Sequence, residues 1–305
     1  MGFFGDYESA GVGISKNAPK KTGIRLFFDI LGRKFWKMFE INILYSLFYL
    51  PLVLAVTAFF QIENMKIALF VCAILGLVFM ITIGPATAGM TKVMRNYVLE
   101  KHSFIMRDFF KAFKDNFVKA SIIGVIDVLI CLSVYAGFMV YPVLAEQYGK
   151  ILYVAFVLSL SVALVVLMMN FYIFLMLIAT DLSLKNLIKN SFALAFVEIK
   201  KSFLTFIIIT AIIAIIAVLI LFVSFSVVFI LPFFPGAILS FIICFNSYPV
   251  IQKYVINPYY TAKGEINPEL RPFGNDDDEE PIFEDMGGKE KPIEKRKKGK
   301  GKRIS

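Results

Sequence analysis

Histidine and cysteine are almost missing from this chain: it has one of the first, His102, and three of the second, Cys72, Cys131 and Cys244. Each cysteine lies inside an apolar run, so none reads as part of a disulfide framework or a thiolate metal site, and all three read as small buried residues. His102 stands beside Lys101 in a polar stretch with no His, Cys or carboxylate at ligand spacing, which argues against a metal centre. Charge is scarce as well, at 18% of the residues, where an ordinary soluble domain has about a quarter. Intramembrane catalysis would need a nucleophile with its base, a carboxylate pair or a metal set, and no such set stands at a recognisable spacing. A phosphate-binding Gly-Lys-Ser or Gly-Lys-Thr loop is lacking too. Gly11-Val12-Gly13 is no substitute, because no strand precedes it and no third glycine follows. The chain is therefore expected to be no enzyme, with no metal and no cofactor.

What the chain does have is apolar length. Hydrophobic residues make up 58% of it and phenylalanine alone contributes 33 residues, so folding is expected in lipid. Six runs are apolar and long enough to span: Ile41–Phe60, Ile67–Ile83, Ser121–Ala145, Ile151–Thr180, Phe203–Leu231 and Gly236–Val255. They pair through short turns at Gln61–Lys66, Glu146–Lys150 and Pro232–Pro235, which makes each pair an antiparallel hairpin. The fourth run is about 45 Å of helix, longer than a hydrocarbon core of about 30 Å requires, so tilt or extension beyond the membrane is expected. Pro51 marks a kink, Gly84-Pro85 is expected to break the second helix before a polar helix over Thr91–Glu100, and Asn257-Pro258 to end the sixth.

Ahead of the third run stands Phe109–Lys119. On a helix its Phe110, Phe113 and Phe117 share one face, while Lys111, Lys114 and Asp115 point away. Such a stretch suits a helix lying on the membrane surface and feeding a spanning one. Comparable stretches lie 82 residues to either side: Phe28, Leu31, Phe35 and Lys37 align with Phe110, Phe113, Phe117 and Lys119, then with Phe192, Ala195, Ile199 and Lys201. The expected architecture is all-α, a polytopic membrane protein of six transmembrane helices in three tandem units. Each unit, about 24–100, 104–182 and 184–258, is an interfacial elbow helix plus a transmembrane hairpin. Residues 1–23 read as a flexible cytoplasmic leader, with no apolar run long enough for a signal peptide core. Residues 259–305 read as a disordered charged tail, with Asp276–Glu280 acidic and Lys295–Arg303 basic.

Of 32 lysines and arginines, only Lys66 and Lys150 fall in the hairpin turns. Basic residues stay in the cytoplasm, so both termini are expected on the cytoplasmic side. The formal charge of +9 thus follows from topology and does not suggest nucleic acid, since basic residues and exposed aromatics do not interleave on a surface. The basic tail could bind anionic lipid or serve only as a solubilising extension.

Polar groups inside spans are functional candidates. Asp127 lies eight residues past Lys119, roughly 12 Å into the bilayer. Asn170 reaches a similar depth on the neighbouring helix, and Asn246 and Tyr248 on the last span could reach the same layer. These four form the candidate intramembrane polar site; the same groups could instead hydrogen-bond helix to helix and hold the bundle together. Lys111, Lys114 and Asp115 form the candidate surface for a cytoplasmic partner.

Several of these stretches together resemble a known family. Ser15–Lys21, Arg33–Lys37, Asn42–Tyr45 with Leu50-Pro51, and then Gly84–Met90 and Phe110–Asn116 look like the hallmarks of the YesL-like family (domain of unknown function 624), over roughly Lys16 to Ile256. The resemblance implies a bacterial integral membrane protein commonly encoded beside sugar ABC transporters and polysaccharide-degradation genes, with no established site residues to carry over. It points to a membrane component or accessory of carbohydrate uptake or utilisation. The other reading is a sensory or scaffolding membrane protein that carries nothing. No Glu-Ala-Ala loop of the kind that docks an ABC ATPase is present.

Overall fold

The computed structural model describes residues 21–223, 232–233, 235–265 and 267–270. The expected leader through Lys20, the end of the fifth span and both charged blocks of the tail lie outside those residues. Among the described residues the secondary structure is entirely helical, and six helical stretches are long and apolar enough to cross a membrane. The protein is an all-α, multi-pass membrane protein. Its helices are α1 (Gly23–Ser46), α2 (Leu50–Gln61), α3 (Met65–Val98), α4 (Ile105–Asp115), α5 (Phe117–Tyr148), α6 (Leu152–Ala179), α7 (Leu184–Val197), α8 (Ile199–Val218), α9 (Pro235–Ile251) and α10 (Asn257–Lys263).

The returning helices of the three hairpins, α3, α6 and α9, all touch one another and form an inner trio. Around it α3 packs on α4 and α5, α6 on α7 and α8, and α9 on α1. Each returning helix therefore receives the start of another hairpin. The packed core is not centred along the helices. In α3 and α6 it sits toward the end where the basic residues gather, over Ile83–Tyr97 and Met168–Leu177, whereas in α9 it runs nearly the whole helix, Ala237–Ile251. Toward the turns of the first two hairpins the helices show their apolar sides outward: Phe60 is 81% exposed and Phe70 66%. Lipid tails solvate such faces as well as a protein interior would, so nothing drives them together.

Close helix contact in the core depends on two glycines. A Cβ on Gly84 would come within 2.0 Å of the Ala120 carbonyl oxygen, and one on Gly124 within 2.7 Å of the Gly84 backbone. The α3–α5 crossing is thus backbone against backbone, as small residues allow in membranes.

Four sequence expectations need correction. Pro85 does not break its helix, because α3 runs unbroken from Met65 to Val98. Proline removes the N–H that would bond the Ile81 carbonyl, but Ser121 Oγ of α5 donates to that oxygen at 2.8 Å. The first elbow is not separate either: α1 continues through Lys37 to Ser46, and the interruption is a short 3-10 turn at Leu47–Tyr49, just before Pro51. In the second and third units the corresponding helices, α4 and α7, end in breaks at Asn116 and Glu198, 82 positions apart. Asn257-Pro258 does not end the last helix. A π-helical turn over Gln252–Ile256 leads into α10, where proline sits in the first turn. The helix stops at Gly264, whose φ of +72° suits glycine. Finally, ordered chain passes the expected tail boundary at residue 259: Asn267 is 3% exposed and Pro268–Leu270 form a short 3-10 turn.

Candidate functional site

Two polar clusters occupy the bundle, one within the trio and one at its basic end. The first surrounds a cavity of about 260 Å³ between α1, α3, α6 and α9, with Tyr45, Tyr49, Thr87, Asn170, Phe174 and Ser240 on its wall. Tyr45 Oη and Thr87 Oγ1 share a hydrogen bond of 3.1 Å. Asn170 Nδ2 donates to Asp127 Oδ1 at 2.7 Å, linking α6 to α5, and to the Val166 carbonyl at 3.3 Å. The structure thus brings Asp127 and Asn170 together. Asn170 Oδ1 is buried and has no hydrogen-bond partner among the described residues.

The other two candidates go elsewhere. Asn246 Nδ2 donates to Thr205 Oγ1 of α8 at 3.1 Å, a clamp between the two helices of the third hairpin. Tyr248, 1% exposed, faces Arg95 of α3 and is part of the second cluster. Depth along a helix was readable from counting residues, but the rotational setting of α9 was not. The four-residue layer therefore divides into three contacts.

The second cluster was not foreseen. Arg95, only 8% exposed, donates to Tyr248 Oη at 2.7 Å, and its guanidinium lies 4.8 Å from the centre of the Tyr248 ring. Arg95 also pairs with Glu269, which accepts from Tyr248 Oη and from Gln252 Nε2 at 3.2 Å. Lys101 completes the set 3.8 Å from the same carboxylate. Arg95 offered no signal of its own in the sequence, since it stands in the stretch Thr91–Glu100 that reads as a polar helix. Glu269 offered none, since it stands in a segment of mixed polar residues.

Helix α4 shows a similar shift of emphasis. Its buried anchor is Phe109, 0% exposed, with Ala112, whereas Phe110 and Phe117 are each 37% exposed. Phe109 fits because Gly89 has no side chain: a Cβ there would lie 2.9 Å from its ring and its carbonyl oxygen. Asp108 Oδ2 accepts from the Phe104 N–H at 3.1 Å and from Ser103 Oγ at 2.6 Å, which fixes the start of the helix. Lys111, Lys114 and Asp115 are exposed on the opposite face. Among the described residues, no group of three or more His, Cys, Asp or Glu is placed to hold a metal.

Residues 65–138 match the family model described as Protein of unknown function, DUF624. The family resemblance holds over this stretch. The DUF624 match covers α3, α4 and most of α5, and so takes in both Gly84–Met90 and Phe110–Asn116. It includes the glycine crossing, the Phe109 anchor, Arg95, Lys101 and Asp127. Comparison with curated proteins gives no match, nor does comparison with solved structures.

Proposed function

We propose that this protein is an accessory component of carbohydrate uptake or utilisation in a bacterial inner membrane, with both termini in the cytoplasm and no enzymatic activity of its own. The cavity inside the trio carries the reading. Aromatic rings of Tyr45, Tyr49 and Phe174 stand beside hydroxyl and amide groups of Thr87, Ser240 and Asn170. Rings that cover C–H faces, next to hydrogen-bonding groups that meet hydroxyls, suit a small polyhydroxylated ligand. At about 260 Å³ the space would hold one small molecule and no more. Below it Tyr97, Tyr172 and Tyr248 are fully buried, which favours an accessory over an open conduit. The Asp127–Asn170 pair is the polar group that would couple the cavity to the α5–α6 contact.

The expected outcome of deleting the gene is a growth defect on a particular glycan, with the protein co-purifying with a sugar ABC transporter or its ATPase. In proteoliposomes the protein alone is expected to carry no sugar, and Asp127→Asn to change nothing in that assay. Sugar flux dependent on Asp127 would make it a transporter in its own right. Unchanged growth on every glycan tested, with no transporter captured, would sink the carbohydrate reading.

A second reading, a sensory or scaffolding protein that carries nothing, is favoured by the elbow α4. Its buried face is anchored on Phe109 while Lys111, Lys114 and Asp115 stand exposed on the other face. A soluble partner lost on charge reversal at those three residues, with glycan growth unchanged, would decide for it. The basic residues of the tail would add attraction for anionic lipid. The packing of α3 on α4, α6 on α7 and α9 on α1, with breaks 82 positions apart, supports a threefold repeat of hairpin units.

A further inference from the structure

Glu269 is held as a ligand would be. Donors from three separate parts of the fold converge on its carboxylate: Arg95 from α3, Lys101 from the α3–α4 connection, and Tyr248 and Gln252 from the last span. One oxygen accepts from Arg95 with the Lys101 ammonium in ion-pair range at 3.8 Å, and the other accepts from Tyr248 and Gln252. The backbone that delivers Glu269 is short in its described part. It is a three-residue turn steadied by Asn267, whose Oδ1 accepts the Glu269 N–H at 3.0 Å and whose Nδ2 donates to Asn257 Oδ1 at 2.8 Å.

Two further observations separate this from a simple tether. Arg95 Nε is buried and unpartnered among the described residues, so the guanidinium keeps donor capacity that Glu269 does not use. A cavity of about 680 Å³ continues from the ion pair, with Arg95, Lys101, Thr180, Tyr259, Tyr260 and Glu269 on its wall. A glutamate side chain fills only part of such a space.

We infer that Arg95, Lys101, Tyr248 and Gln252 form a binding site for a carboxylate-bearing solute, and that Glu269 occupies it as a displaceable internal ligand. The donors recognise a carboxylate because a planar anion with two acceptor oxygens is what they already hold. Occupancy by an external carboxylate requires the 267–270 turn to leave, so the solute and the C-terminal segment compete for one site. The site is separate from the cavity inside the trio, and it stands or falls independently of the carbohydrate reading.

Acetate is the probe, with chloride at equal ionic strength as the control, on the full chain in detergent. In Glu269→Ala the donors lose their internal ligand, and acetate at about ten times its Kd is expected to raise the unfolding midpoint by about 3–5 °C over chloride. Arg95→Gln in that background is expected to abolish the difference. In the unaltered chain, hydrogen exchange of the peptide covering residues 264–270 should accelerate with acetate, about threefold when acetate reaches about twice its Kd, the factor being 1 + [L]/Kd. An Ala variant that folds but responds equally to acetate and chloride would overturn the site. Rescue in the Ala variant without faster exchange in the unaltered chain would overturn the displacement, leaving a static ion pair. If Arg95→Gln does not fold, Gln252→Leu serves in its place and is expected to shift the acetate midpoint to higher concentration; an unshifted midpoint would count against the site.

Discussion

Glycine at 84 is the residue on which most of the core geometry turns. A methyl group there meets a backbone carbonyl at 2.0 Å, and a backbone cannot swing aside as a side chain can. Gly84→Ala is expected to force α3 and α5 apart and to cost about 3 kcal/mol, the upper part of the range for overpacking. Thermal or denaturant unfolding in detergent measures it. Gly76 of the same helix, with open space around its Cβ position, is the control and should tolerate alanine. Phenylalanine presents the same lesson with the opposite sign. Phe109 is sealed against Gly89 while Phe110 is partly outside. Phe109→Ala is expected to destabilise by about 3–5 kcal/mol, as large core truncations do. Phe110→Ala should cost well under half of that. Equal losses at the two positions would return the anchor to the stripe of Phe110, Phe113 and Phe117.

At the scale of elements, the interior proline of α3 is supported by its neighbour. Ser121 supplies to the Ile81 carbonyl the donor that Pro85 cannot. Ser121→Ala is therefore expected to cost about 1 kcal/mol, typical of a hydrogen bond between transmembrane helices. The cost should vanish when Pro85→Ala restores the N–H, a coupling that a double-mutant cycle in detergent reads directly. Additive losses would show that the serine bond is incidental. This contact also explains why the helix read as broken in the sequence: Pro85 and its remedy stand 36 positions apart, and no local rule joins them. Hydrophobic length was legible because lipid imposes it on every span, and hairpin pairing was legible because the turns are short. Rotation about each helix axis was not legible, since a helix surrounded by lipid can be apolar all round and so carries no face signal. Asp127 and Asn170 could be matched through depth alone. Asn246 and Tyr248 could not, because their facing depends on which neighbours α9 meets. The Arg95–Glu269 pair spans 174 positions and lay beyond any local pattern.

On the whole molecule, the uneven core and the uneven charge describe one axis. Packed side chains concentrate where the lysines and arginines lie, while the turns of the first two hairpins stay exposed: Phe60 is 81% and Tyr148 74% exposed, against 0% for Met94 and Met176. If basic residues mark the cytoplasmic side, the well-packed end with the elbows, Arg95 and α10 faces the cytoplasm, and Lys66 and Lys150 face out. Single cysteines test this, introduced after Cys72, Cys131 and Cys244 are replaced. Lys150→Cys is expected to react with a membrane-impermeant maleimide added to intact spheroplasts, and Lys114→Cys only once the membrane is opened or inverted. Both side chains are exposed, so burial cannot mask either result. The reverse pattern would put the elbow surface and the Glu269 site outside, where a soluble cytoplasmic partner could reach neither. The orientation therefore decides more than topology: it sets which compartment's solutes compete with Glu269 and which proteins can meet Lys111, Lys114 and Asp115.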